Sequence, residues 1–156
     1  MPELAAWSLV EAYLPDLMID GEPEEFLASF SRLPTSVQHL CAAHLLVTEV
    51  EMGGFSQLLY NSVGVLAPEA ARGLRAMDMP ETATIVEELL GWFGDQYPRD
   101  RNQRWEMQQA FEAAHGSGHG DDCPICSIDQ RFYRLIEQEL GGFYIAADAY
   151  AAKARQ

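Results

Sequence analysis

Apolar residues recur at three- and four-residue steps along almost the whole of this chain. No segment alternates polar with apolar between turn residues as a half-buried strand would. Leu4, Trp7, Leu9, Val10 and Tyr13 set the pattern at the N-terminus before Pro15 closes the segment. Pro23 suits a first helical position, Glu24 and Glu25 suit the first turn, and Phe26, Leu27 and Phe30 give this second helix an apolar face. The stretch 34–52 reads as a long central helix, with Val37, Leu40, Cys41, His44, Leu45 and Thr48 on overlapping faces. A short helix from Phe55 to about Ser62 follows, then "APEAARGLRAM" and "PETATIVEELLGWF", each opening near a proline, then "PRDRNQRWEMQQAFEAAH". A Gly-rich loop, 116–122, leads into one last helix over about 128–153. The expectation is a single all-α domain spanning 1–156, built of about seven or eight helices.

Charge narrows the function classes. Twenty-four acids face ten bases, for a formal net charge of −14, and Lys153 is the sole lysine. Residues 1–31 hold Glu3, Glu11, Asp16, Asp20, Glu22, Glu24 and Glu25 with no base at all. A field of that sign repels nucleic acid and membrane surfaces and attracts basic proteins, although simple solubility is the commoner reason for acidity. The longest apolar run, Leu40 to Val47, is far short of the ~20 residues that cross a bilayer. The N-terminus lacks the basic segment of a secretory signal, and three cysteines do not make a disulfide framework. A cytoplasmic protein is expected.

Two glycines interrupt the central helix in "EVEMGGFSQLLYNSVG", residues 49–64. Gln57 and Asn61, four apart, share a helix face beyond the break. Neither titrates and no nucleophile stands beside them, so they read as architecture. Their amides can bond backbone groups freed at Gly53-Gly54, or a neighbouring helix. "EMGGF" at 51–55 returns as "ELGGF" at 139–143, where glycines again permit a bend or a close approach.

The stretch resembles the E-V-x-x-G-G-F-x-Q-x-x-x-N-x-x-G signature of the DNA mimic protein 19 family, also called domain-of-unknown-function 4375. The matching positions are Glu49, Val50, Gly53, Gly54, Phe55, Gln57, Asn61 and Gly64. "DQRFYRLIEQELGGFYIAADAY" is similar to that family's closing helix, so the resemblance covers roughly 34–153. It implies an all-α fold, often dimeric. It also implies a non-enzymatic, acidic protein that occupies the basic face of a DNA-binding regulator and keeps it from its operator. Glu81, Glu88 and Asp95 recur at seven-residue steps with Glu87 beside them, and Asp20, Glu22, Glu24 and Glu25 form a second cluster. Carboxylates one helical turn apart stand about 6 Å apart, of the order of a phosphate spacing. Either cluster alone also reads as a solvated face. Arg99, Arg101 and Arg104 run the other way: surface pairing with nearby acids, or contact with an acidic face of a second subunit.

The segment 115–127 has no counterpart in that family's pattern. "HGSGHGDDCPIC" sets His115, His119, Cys123 and Cys126 in H-x3-H-x3-C-x2-C, four ligand types suited to tetrahedral zinc, with glycines that let a short loop close. Ordinary fingers separate their ligand pairs further. A structural zinc is expected, and with it an alternative function as a zinc-stabilised interaction or sensor module. Cys41 and His44, three apart on the long helix, read as core before half a metal site. A redox pair would want a βαβ context, and a metal-dependent enzyme would want a pocket and a base that nothing in the sequence marks.

Overall fold

A computed structural model describes residues 5–115 and 123–155. Among these residues eight α-helices make up the fold: α1 (Ala5–Tyr13), α2 (Pro23–Ser31), α3 (Thr35–Tyr60), α4 (Ala67–Ala76), α5 (Pro80–Gly91), α6 (Arg101–His115), α7 (Pro124–Gln138) and α8 (Phe143–Ala154). No strand occurs among the described residues. Prolines stand in the first turns of α2, α4, α5 and α7, where their missing N–H costs nothing. None of the described helices is long and apolar enough to cross a membrane.

The central helix owes its place to its composition. Leu40, Cys41, Ala42, Ala43, His44, Leu46 and Val47 are all buried, so α3 is covered nearly all round and packs against α1, α4, α6, α7 and α8. Thr48, on the expected apolar face, is exposed. Along this helix α4 comes close enough that a Cβ on Gly73 would collide with the His39 carbonyl. The Cys41–His44 pair is core, as its default reading held: burial pushes the Cys41 thiol up to about 12.

His44 is a buried base in a mostly aromatic setting, edge-on to Phe143 at 4.9 Å and flanked by Trp7 and Tyr144. Its Nε2 has no hydrogen-bond partner. Burial lowers its pKa from 6.5 to about 4, against the pull of Asp148. The unfolded chain therefore takes up a proton below its ordinary pKa that the folded chain refuses. The stability this gives is complete above 6.5 and falls away as the pH drops toward 4. Urea titrations are expected to find about 2 kcal/mol less stability at pH 5 than at pH 7 from this group. His44→Phe should remove that part of the slope; an unchanged slope would refute the assignment.

The last helix departs from expectation. Instead of one helix over 128–153 there are two, because the chain leaves helical geometry at Leu140, Gly141 and Gly142, with φ of 53°, 83° and 112°. The turn is used. Glu139, at its start, reaches the N-terminus of α5 and accepts from the Glu81 N–H at 2.9 Å, the Thr82 N–H at 2.8 Å and the Thr82 hydroxyl at 2.6 Å. A carboxylate on free helix N–H groups is a capping interaction, here supplied by a distant segment.

Candidate functional site and acidic surface

The glycine break in α3 is a built junction. Gly53 has φ −156° and ψ 19°, and Gly54 has φ 73° and ψ −176°, so the helix stops and restarts within two residues. Restarting exposes the N–H of Phe55, which donates to Asp129 Oδ1 of α7 at 2.8 Å. Burial raises the Asp129 pKa while that N–H pulls it back down. A Cβ on Gly54 would lie 2.5 Å from Asp129 Oδ2, and one on Gly53 would collide with the Gln57 side chain.

Across the break, Glu49 accepts from Gln57 Nε2 and Asn61 Nδ2, both at 2.9 Å. The two amides are therefore architectural, but their partner is one carboxylate on the helix before the break rather than freed backbone. Where this helix ends, Arg104 supplies the donors. Fully buried, it donates to the carbonyls of Leu59 at 3.1 Å, Asn61 at 3.1 Å, Pro98 at 3.3 Å and Arg99 at 2.7 Å. A cation against the carbonyl end of a helix is favoured by the dipole. Gly64 makes room for it, since a Cβ there would press on Leu58 and on the guanidinium. Tyr97 closes the corner by donating to the Gly64 carbonyl at 2.7 Å.

The second family-like segment meets the first at this junction. From "DQRFY" on α7, Asp129 caps Phe55, Phe132 lies edge-on to Phe55 at 5.0 Å, and Tyr133 donates to the Val50 carbonyl at 2.6 Å. Arg131 grips Glu88 with two bonds of 2.9 Å. Asp148 of α8 accepts from the Ala6 N–H at 2.9 Å. Asp129, Glu139 and Asp148 thus cap helices far away in sequence, and no local pattern announces them.

These internal uses thin the acidic surface. On α5, Glu87 is bound by Arg75 at 2.7 and 3.1 Å, and Glu88 by Arg131, which holds the Glu88 carboxyl below its ordinary value. Asp95 is not on the face shared by Glu81 and Glu88, because α5 ends at Gly91 and the chain turns through Gly94 at φ 84°. The arginine patch dissolves as well: Arg99 pairs with Glu69 at 2.8 Å, Arg104 is buried, and Arg101 lies 5.4 Å over the Tyr60 ring.

Asp20, Glu22, Glu24 and Glu25 are not drawn into such ion pairs. All are exposed, and none joins the ion pairs formed among the described residues. Asp20, Glu22 and Glu24 line a cleft together with Asp100, Arg101 and Asn102. Arg101 leads on to Tyr60, which is edge-on to Trp105 at 5.5 Å, and both rings are about half exposed.

Of the four expected zinc ligands, His119 lies outside the described residues. Cys123 and Cys126 are joined as a disulfide at the start of α7, where Cys123 Sγ also accepts the Cys126 N–H at 3.2 Å. His115 ends α6, stacked on Phe111 at 4.2 Å with its Nδ1 3.0 Å from the Phe111 carbonyl. Zinc binds thiolates, so the zinc expectation concerns the reduced chain.

The fold and the junction define a class: an all-α domain whose two characteristic segments, the glycine break and the D-x-R-F-Y helix, lock onto each other. The sequence profile of the DMP19-like protein family matches residues 31–154, and the chain belongs to that family. No curated protein and no solved structure matches the chain.

Proposed function

We propose that this protein acts by binding rather than catalysis, presenting an acidic surface to the DNA-binding face of a basic protein, most simply a transcription factor. The observation that carries the reading is the unpaired cluster Asp20, Glu22, Glu24 and Glu25, in a stretch of chain with no base before Arg32. Membership of the DMP19-like family supports it. So does the neighbouring Arg101–Tyr60–Trp105 group, since Trp, Tyr and Arg supply most anchor contacts at interfaces. Glu81, Glu87, Glu88 and Asp95 are the lesser part of this surface, because Arg75 and Arg131 offset two of their charges.

A pulldown with the full chain over a salt series is expected to retain a DNA-binding protein that added duplex DNA displaces. Retention indifferent to duplex would refute mimicry. Reversing Asp20, Glu22, Glu24 and Glu25 to lysine is expected to weaken the complex by roughly tenfold or more, and reversing Glu87 and Glu88 by less. Sedimentation of the same samples tests the homodimer that the family resemblance implies.

The convergence of Cys123 and Cys126 supports a second reading, in which zinc on the reduced cysteines with His115 and His119 steadies an interaction or sensor module in the cytoplasm. Metal analysis of reduced protein decides it. Zinc near one per chain, lost in Cys123→Ser, supports that reading, and its absence removes it.

A further inference from the structure

We propose that Cys123 and Cys126 form a reversible thiol–disulfide exchange site, whose co-reactant is a small thiol or its disulfide, of the glutathione class. The pair is closed as a disulfide with its Cα atoms 5.2 Å apart. That separation is ordinary for the bridge, so one backbone serves both the open dithiol and the closed disulfide. A loop this short constrains the unfolded chain least, which makes the bridge a poor staple. The start of α7 is also fastened without it: Ile125 and Ile128 are buried, and the Ser127 N–H donates to the Cys123 carbonyl at 3.1 Å.

What a βαβ unit offers such a pair is a helix N-terminus beside the sulfurs, and α7 offers the same within an all-α fold. Cys123 is the N-cap of α7, and its Sγ accepts the Cys126 N–H at 3.2 Å. Both the N–H and the helix dipole favour negative charge on that sulfur. Cys123 is 7% exposed and Cys126 is half-buried, so a thiolate arriving from solvent meets Cys126 first. Access and leaving-group stability therefore select one direction of attack. The small thiolate bonds to Cys126 Sγ, and the electron pair of the broken S–S bond passes to Cys123 Sγ, which takes a proton. A second small thiolate then attacks the small thiol's own sulfur in this mixed disulfide, and Cys126 Sγ leaves and is protonated. Two small thiols become one disulfide, while the protein pair gains two electrons and two protons. An excess of the small disulfide runs the same steps backwards. The exchange needs neither zinc nor the acidic cluster.

The test equilibrates the full chain in millimolar glutathione, reduced over oxidised by about a hundredfold, with a chelator present to keep zinc away. After acid quenching and alkylation, mass spectrometry counts the labels on the peptide that carries both cysteines. At least about a tenth of the pairs are expected to be open, and oxidised glutathione alone should close them again. A smaller open fraction is the mark of a structural disulfide and would overturn the proposal, as would a pair that oxidised glutathione leaves open. Both results come from the unaltered protein, so neither depends on a variant folding. For the direction of attack, Cys123→Ser should trap oxidised glutathione on Cys126 roughly tenfold faster than Cys126→Ser traps it on Cys123. Equal rates would overturn that assignment. Because zinc is excluded, failure of the zinc reading leaves these results untouched.

Discussion

Gly54→Ala is expected to destabilise the protein by about 2–4 kcal/mol, a large share of the stability of a domain this size. Two effects add. At φ 73° and ψ −176° the backbone sits in a region that L side chains avoid, which costs ~1–3 kcal/mol. The new Cβ, 2.5 Å from Asp129 Oδ2, also drives α7 off the Phe55 N–H and loses a cap worth ~1 kcal/mol. Gly91→Ala is the control, since nothing lies within 4 Å of a Cβ there and its effect should stay within about 1 kcal/mol. Urea denaturation of both variants checks the pair. A loss below ~1 kcal/mol at Gly54 would mean that the break is not a rigid junction.

The second large effect belongs to Arg104. Arg104→Met keeps most of the volume but strips the bonds to Leu59, Asn61, Pro98 and Arg99, leaving the carbonyls of Leu59 and Pro98 buried without a donor and those of Asn61 and Arg99 half-buried. The expected loss is about 3–5 kcal/mol, measured by the same denaturation. Arg104→Lys should recover less than half of it, because a compact ammonium cannot span carbonyls that the planar guanidinium reaches together. Full recovery by lysine would show that charge alone, and not the fork of donors, holds the end of α3.

Much of the architecture was legible because helical periodicity is local. The ends of α2, α4 and α5 are written in their prolines, and the break at Gly53-Gly54 in the glycines themselves. The second break, at 139–142, carries the same glycine pair, yet helical periodicity across it reads as one helix. What distinguishes it is Glu139, whose partners Glu81 and Thr82 lie about sixty residues away. Spacing likewise placed Asp95 with Glu81 and Glu88, and only the end of α5 at Gly91 separates them.

The sequence by itself determined that the chain is helical and strongly acidic, and that it carries the DMP19-like signature. Each of these follows from composition or from neighbours within a few turns. The tertiary structure decided which acids are surface and which are joinery. Glu49, Asp129, Glu139 and Asp148 are spent on amides and helix ends, and Glu69, Glu87 and Glu88 on arginines. Asp20, Glu22, Glu24 and Glu25 remain exposed and unpaired. A carboxylate's role depends on what stands within about 3 Å of it. For most of these residues that neighbour comes from another helix, which no window along the chain contains.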